Sequence, residues 1–477
     1  MNFDLRTAFA RHVALPVKSL VKREPALRIL REFDASQWQE PEQLRRLRTA
    51  RLRDLLVSVG THVPFYREQL RHLKLRPEVD DPWVILGALP TIGKEEYRTI
   101  GRALESDSPR GRPLVGHTSG TTGERLEVKL DSLAGTYCYV AHLRGGSWWG
   151  IAPGDAEFKI WGTGRGTART RKESIQGSLK VFSEVAMGVT LVSPFFQSDD
   201  DLDRAEQRLF RRKPKFVFGY ANSIHLLADH LSRKGRVTGP GWPRAVGYTS
   251  EMLVDSQRET IRKVFGAPVV AEYGSCEAGV IACQCPQGSL HTTDETIVVE
   301  TLDGEAPAAE GRSGEVVVTH LMAKDYPLIR YRQGDLASIE GRSCDCGRGL
   351  GVMSSLVGRK NDVLRAPSGG IVDFIIFDKV MKDQPALRRF KVVERSKGDL
   401  VLLYELYPSE QWSTEDRTRL LRQCAALLPP DVRVTPVVVD RLPLEPSGKF
   451  RIIVPERDAA DFLARVPAQD GGKLSEN

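Results

Sequence analysis

Residues 116–124 read GHTSGTTGE, a run of small and hydroxyl-bearing side chains with no bulk among them. Such a loop presents many backbone N–H groups and hydroxyls, which suits a polyphosphate oxyanion; the same composition also makes an ordinary turn. It is not the Walker P-loop, because no Gly-Lys-Ser/Thr follows. Cys285, His291, Cys344 and Cys346 form C-x5-H followed far downstream by C-x-C, flanked by glycine and proline. Thiolates and an imidazole converging from two loops suit a tetrahedral, structural zinc ion. Cys283 could stand in for one of them, and reduced loop cysteines are the alternative reading.

These residues need elements to hold them. Residues 1–110 read as helical: in PEQLRRLRTARLRDLLVSVG the leucines recur at helical spacing on an Arg-rich background. Between 215 and 275 the pattern changes to short β-rich runs alternating with helices: KFVFG, NSIHLLADHLSRKG, RAVGY, SQRETIRKVFG and PVVAEYG. Ile224, Leu227, Ala228 and Leu231 form one apolar stripe with Gly235 placed to end it, and Ser256 with Glu259 reads as a capping box closed by Gly266. Strands alternating with helices predict an α/β fold with a parallel or mixed sheet covered by helices. In such sheets ligands sit beyond the carboxyl ends of the strands. There the sequence offers Gly219-Tyr220-Ala221-Asn222, Tyr248-Thr249-Ser250-Glu251 and Tyr273-Gly274-Ser275-Cys276-Glu277.

Taken in order, Thr118-Ser119-Gly120-Thr121-Thr122-Gly123, Tyr273 to Glu277, RYRQGD (330–335), Gly358-Arg359-Lys360-Asn361-Asp362 and Pro446-Ser447-Gly448-Lys449 resemble the adenylate-forming ligase superfamily. HVPFYRE, GYANSIHLLA, RYRQGD and CDCGR are similar to its phenylacetate–CoA ligase branch, CapK-like proteins included. The resemblance covers nearly the whole chain and is weakest over 155–200 and the last twenty residues. It implies that a carboxylic acid is joined to AMP from ATP and the acyl group then passed to a thiol, usually of coenzyme A. The first step is in-line displacement at the α-phosphorus by a weak nucleophile, so it demands positioning and charge neutralisation.

By that resemblance the 118–123 loop, Thr118 included, holds the departing β- and γ-phosphates. Glu277 is the Mg²⁺ ligand; a helix-start glutamate is the structural alternative. Glu251, Tyr273, Gly274, Ser275 and Cys276 face the nucleotide, Asp335 accepts from the ribose hydroxyls, and Arg359 donates to ribose or phosphate. Lys449 bridges the carboxylate and the α-phosphate. The chain divides into a large domain, 1–358, and a small mobile α+β domain, 359–477, with Asn361 where the usual hinge aspartate stands. Tyr137, Trp161, Tyr220, Asn222, Tyr248 and Ser250 are the candidates for the acyl pocket.

Several residues depart from the pattern. Glu124 and Arg125 stand where many superfamily members carry a lysine, Cys276 replaces a Ser or Thr, and GTGRGTARTRKES (162–174) replaces a glycine-rich stretch. A different substrate, transfer to an amine, hydroxyl or carrier protein, or a zinc-stabilised scaffold with a decayed ATP site are the rival readings. The chain of 477 residues holds seven cysteines, an odd number for a disulfide framework, and begins without a secretory apolar block. A cytoplasmic protein with reduced thiols is expected, and no stretch is long and apolar enough to span a membrane. Of the formal charge of +7, residues 1–53 carry +6, twelve Lys/Arg against six Asp/Glu. That region could touch an acidic membrane surface; without aromatic platforms it does not read as a nucleic-acid binder. A homodimer is compatible with the sequence.

Overall fold

The computed structural model describes residues 25–117, 126–162, 188–196, 198–341, 344–359, 364–369, 371–372, 377, 380–381, 384, 386–407, 410–443 and 450–466. Five α-helices precede the first described strand: α1 (Ala26–Ser36), α2 (Pro41–His62), α3 (Pro64–Leu73), α4 (Pro82–Ala88) and α5 (Lys94–Ile100). Pro41 sits in the first turn of α2, where its missing N–H costs nothing, and the Gln43 side chain accepts from the Glu40 N–H at 3.2 Å. Leu44, Leu52, Leu55, Leu56 and Val59 form its buried stripe, as the leucine spacing predicts.

A hairpin, β1 (Leu114–His117) and β2 (Glu127–Leu130), leads into α6 (Ser132–Ser147). There follow β3 (Glu157–Ile160), β4 (Val189–Val192), α7 (Asp199–Arg212), β5 (Phe216–Tyr220), α8 (Ala221–Arg233), β6 (Ala245–Thr249), α9 (Asp255–Phe265) and β7 (Val269–Ser275). Strands β4, β3, β5, β6 and β7 pair in parallel in that order, and β8 (Gly279–Gln284) turns back antiparallel on β7. With β9 (Leu290–Thr292), β10 (Ile297–Asp303), β11 (Ala306–Pro307), β12 (Gly314–His320), β13 (Tyr331–Glu340) and β14 (Val352–Arg359) they complete a 12-stranded mixed sheet.

Local sequence explains the strand–helix alternation. Ile224, Leu227, Ala228 and Leu231 are fully buried, and Gly235 and Gly266 adopt φ of +64° and +56° just past α8 and α9. One expectation is corrected: α9 begins at Asp255, so Ser256 lies inside the first turn rather than at its cap. Gln257, not Glu259, reaches back to the Val254 N–H at 3.4 Å.

An ion pair ties α1 and α6 to the sheet. Arg144 Nη1 donates to Glu295 Oε1 at 2.6 Å, Ser36 Oγ donates to the same oxygen at 2.6 Å, and the guanidinium lies 4.7 Å from the Phe33 ring centroid. Both charged residues are essentially inaccessible, at 1% and 0%.

Two compact units emerge, the second comprising the chain from Gly358 onward together with Glu251–Thr260. In it β17 (Leu387–Ser396) and β18 (Asp399–Leu406) form a hairpin, flanked in parallel by β20 (Ile453–Val454) and β19 (Arg433–Val438); β15 (Leu364–Arg365) and β16 (Ile371–Val372) form a separate small ribbon. Helices α10 (Thr414–Leu427) and α11 (Glu456–Leu463) complete this α+β unit. No helix among the described residues is long and apolar enough to cross a membrane.

Candidate active site

Strands β1 and β2 pair with Leu114 opposite Leu130 and His117 opposite Glu127, and so anchor both ends of the glycine–threonine loop. Thr118, Ser119, Gly120, Thr121, Thr122 and Gly123 themselves lie outside the described residues. Gly116, two positions earlier, abuts the β7–β8 turn: a Cβ there would come within 2.7 Å of Cys276 Sγ. The strand entering the loop therefore runs beside the Tyr273–Glu277 motif. Cys276 is exposed, which leaves the reading of a weakened phosphate contact where the sequence put it.

Two motifs 62 residues apart in sequence meet directly. Tyr273 is buried at the end of β7, and its hydroxyl donates to Asp335 Oδ2 at 2.8 Å. Gly274 follows because any Cβ there would collide with the Gly279 carbonyl. Glu277 sits in the turn between β7 and β8, half-buried, and accepts from the Tyr331 hydroxyl at 3.3 Å. Tyr331 was missed as a site residue although it lies inside RYRQGD. Its signal was its place inside that motif, four residues before Asp335 on the same strand. The Tyr97 ring meets Tyr331 edge-on at 6.0 Å; burial first, then the charges of Glu105 and Glu277, push the Tyr97 hydroxyl up to about 12. Changing Tyr273 to Phe removes this one hydrogen bond and should cost about 1 kcal/mol in urea unfolding.

Of the acyl-pocket candidates, Trp161 and Tyr220 pack together at the carboxyl ends of β3 and β5, with ring centroids 4.8 Å apart. Trp161 also stacks on Phe218 at 6.0 Å. Asn222 is buried in the first turn of α8, Tyr248 is half-buried near the end of β6, and Ser250 is exposed at φ +70°. Glu251 accepts a hydrogen bond from the backbone N–H of Phe450. Tyr137 goes elsewhere: its ring packs on Phe33 of α1 at 5.9 Å and under the Arg51 guanidinium at 5.4 Å. The helix explains this, since Tyr137 and His142 on α6 point about 140° apart. It is His142 that faces the sheet, over a cavity also lined by Phe218, Gly247 and Glu272. Sequence reasoning missed His142 and Glu272; the available signal was that Glu272 directly precedes Tyr273 in a strand otherwise apolar up to that point. Arg359 ends β14, while Asn361 and Lys449 lie outside the described residues.

The second cluster assembles as the spacing predicts. One ligand atom from each of Cys285, His291, Cys344 and Cys346 lies within 4.8 Å of all the others. Cys285 Sγ stands 3.7 Å from Cys344 Sγ, and Cys346 Sγ 3.1 Å from His291 Nε2. Two thiolates each ~2.3 Å from a tetrahedral ion would be about 3.8 Å apart, so the donor set fits zinc in chemistry and in span. The other ring nitrogen of His291 faces the Leu350 carbonyl at 3.2 Å, a typical second-shell partner. Cys283 is outside the set: strand alternation turns it toward α6, where a Cβ on Gly145 would approach its Sγ to 2.6 Å.

No protein-family model matches the chain. Over 380 residues it is 23% identical to the phenylacetate–coenzyme A ligase of Thermus thermophilus, covering 75% of this chain and 80% of that one. Over 183 residues it is 26% identical to protein CapK of Staphylococcus aureus, 38% of this chain and 39% of that one. Its fold matches the crystal structure of a 2-hydroxyisobutyryl-CoA ligase in the postadenylation state, with a TM-score of 0.67 at 18% identity over 86% of this chain and 89% of that one. The ordered motifs and these relatives support a likeness to the adenylate-forming superfamily, and within it to the phenylacetate–CoA ligase-like branch.

Proposed function

We propose that this protein is an ATP- and Mg²⁺-dependent acid–thiol ligase of the cytoplasm that adenylates a small carboxylic acid and passes the acyl group to coenzyme A. The observation that carries this reading is the hydrogen bond from Tyr273 to Asp335, which unites two of the five ordered motifs at the end of the sheet. The relatives named as phenylacetate–coenzyme A ligases, and a fold neighbour captured with its acyl-adenylate and coenzyme A, support it.

In this scheme Asp335 receives the ribose hydroxyls, with Tyr273 fixing its carboxylate in one rotamer. Arg359 adds a donor to the nucleotide, and the 118–123 loop cradles the leaving pyrophosphate. Glu277, which accepts from the Tyr331 hydroxyl, would hold a Mg²⁺ ion, and that ion would supply charge neutralisation at the phosphates. Lys449 would stand between the carboxylate and the α-phosphate; its neighbour in sequence, Phe450, is held through its backbone by Glu251, and Lys391 in turn donates to the carbonyl of Arg451. Asn361 would lie at the hinge about which that unit turns between half-reactions. Supplying ATP, Mg²⁺, coenzyme A and a panel of aryl, fatty and amino acids should yield AMP, pyrophosphate and an acyl thioester in equal amounts. An adenylate that forms but yields no thioester with any acid would reassign the acceptor to an amine, hydroxyl or carrier protein.

Cys285, His291, Cys344 and Cys346 would hold a structural zinc that pins the β8–β9 turn to the loop before β14. Metal analysis should give one zinc per chain. Cys285→Ser should lose it and lower Tm on the order of 5 °C or more, without changing which acid is used.

A further inference from the structure

The turn that carries Glu277 rests against a thiol of α6. Cys138 Sγ lies 3.7 Å from the carbonyl oxygen of Ala278, a residue with no exposed surface. Gly279, where β8 begins, holds φ at +71°, and a Cβ built on it would collide with the same sulfur. Glycine is therefore required there twice over, by conformation and by space. Within the turn, Ser275 Oγ accepts from the Ala278 N–H at 3.0 Å.

Cys138 has a second partner. Its Sγ lies 3.6 Å from Nε2 of His320, the last residue of β12. The other ring nitrogen decides where the hydrogen sits: the Met322 N–H donates to His320 Nδ1 at 3.2 Å, so Nδ1 is bare and Nε2 carries the hydrogen. His320 is wholly buried, and burial lowers its imidazole to about 4, so the ring stays neutral. Cys138 as a residue keeps some exposure, but burial of its thiol pushes that group up to about 12, so the hydrogen stays on sulfur. The donors therefore run one way. Met322 N–H gives to His320, His320 Nε2–H gives to Cys138 Sγ, and Cys138 S–H gives to the Ala278 carbonyl.

Three elements distant in sequence meet in this series, and its last link ends one residue after Glu277. The Glu277 carboxylate accepts from the Tyr331 hydroxyl at 3.3 Å, so its side chain is held from β13 and the backbone of its turn from α6. Sulfur suits the place better than oxygen would. A C–O bond is shorter than C–S, and gaps of 3.6 and 3.7 Å are beyond the reach of a hydroxyl. We propose that Cys138 and His320 are positioning residues for Glu277, fixing through the Ala278 carbonyl where the metal-binding turn stands.

This rests on the reading of Glu277 as the Mg²⁺ ligand, and the experiment separates the two. Calorimetric titration of the full chain with ATP, once with Mg²⁺ and once with EDTA, gives the metal-dependent gain in ATP affinity and needs no acid. Glu277→Gln should abolish most of that gain. Cys138→Ala, Cys138→Ser and His320→Leu should each reduce it about 3–10-fold and leave the affinity in EDTA unchanged. His320→Gln, whose amide accepts at one atom and donates at the other as this tautomer does, should keep the gain within ~2-fold of the unaltered protein. In the unaltered chain, ¹⁵N-histidine NMR should show His320 with Nε2 protonated and Nδ1 bare, its signals assigned by their loss in His320→Gln. The opposite tautomer would break the donor series and overturn the proposal without recourse to a variant. A gain lost in Glu277→Gln yet intact in Cys138→Ala and His320→Leu would remove the positioning role and leave the metal reading standing. Equal loss of affinity with and without Mg²⁺ would reduce Cys138 and His320 to packing. An undiminished gain in Glu277→Gln would sink the metal reading and the positioning role together.

Discussion

Changing Lys449 to alanine lowers acid-dependent ATP–pyrophosphate exchange about 10²–10³-fold and leaves Tm unchanged. The expectation follows from the demand of the reaction. A carboxylate is a weak nucleophile and the α-phosphate carries like charge, so approach is repulsive until a fixed cation stands between them. In sequence Lys449 ends a Pro-Ser-Gly-Lys segment and is followed by Phe450, whose backbone N–H is held by Glu251. Arginine should not restore the rate, because a planar fork cannot replace a compact point charge between two oxyanions. Transfer of the acyl group from a supplied acyl-adenylate to coenzyme A should survive the substitution, since no charge then builds between a carboxylate and the α-phosphate. A fall of less than threefold in exchange would remove Lys449 from adenylation.

Removing Glu295 alone should destabilise the larger unit by about 3–5 kcal/mol, because it leaves Arg144 charged and buried against Phe33 and Trp148 with no carboxylate. Glu295→Ala and Arg144→Ala are each expected to cost this much in urea unfolding. The Arg144→Met/Glu295→Leu pair should recover most of the loss, since well-packed apolar residues of similar volume need no partner. If the double substitution costs the sum of the singles, the pair is not coupled as described. The consequence reaches the site because α6 carries both Arg144 and His142, so the pair that docks the helix also sets the roof of the cavity.

Legibility in the sequence followed the range of the forces involved. Helix α2, the α8 stripe and the glycine stops at 235 and 266 are local, set by periodicity and left-handed φ, and were readable. The α9 cap was misplaced because the helix begins at Asp255, where Gln257 reaches the Val254 N–H, and chain pattern does not decide between adjacent starts. The convergence of Cys285, His291, Cys344 and Cys346 was visible because metal-ligand chemistry is carried by residue type and spacing, and Cys283 was excluded only by strand alternation. The acyl pocket was the least legible part. Placement at strand ends brings Trp161 and Tyr220 together, whereas Tyr137 turns toward α1. The polar residues His142, Glu157, Lys159 and Glu272 become neighbours only through the register of four strands.

In the proposed reaction a carboxylate oxygen attacks the α-phosphorus of ATP. Turnover of an ¹⁸O-carboxyl-labelled acid with ATP and coenzyme A, followed by mass analysis of the nucleotide, tests it directly: the oxygen that bridges acyl and phosphorus stays with the nucleotide when the thiol takes the acyl group. One ¹⁸O atom recovered in AMP is the predicted result. Label in inorganic phosphate with ADP as the nucleotide product, or thioester formed with no label in AMP, would contradict it.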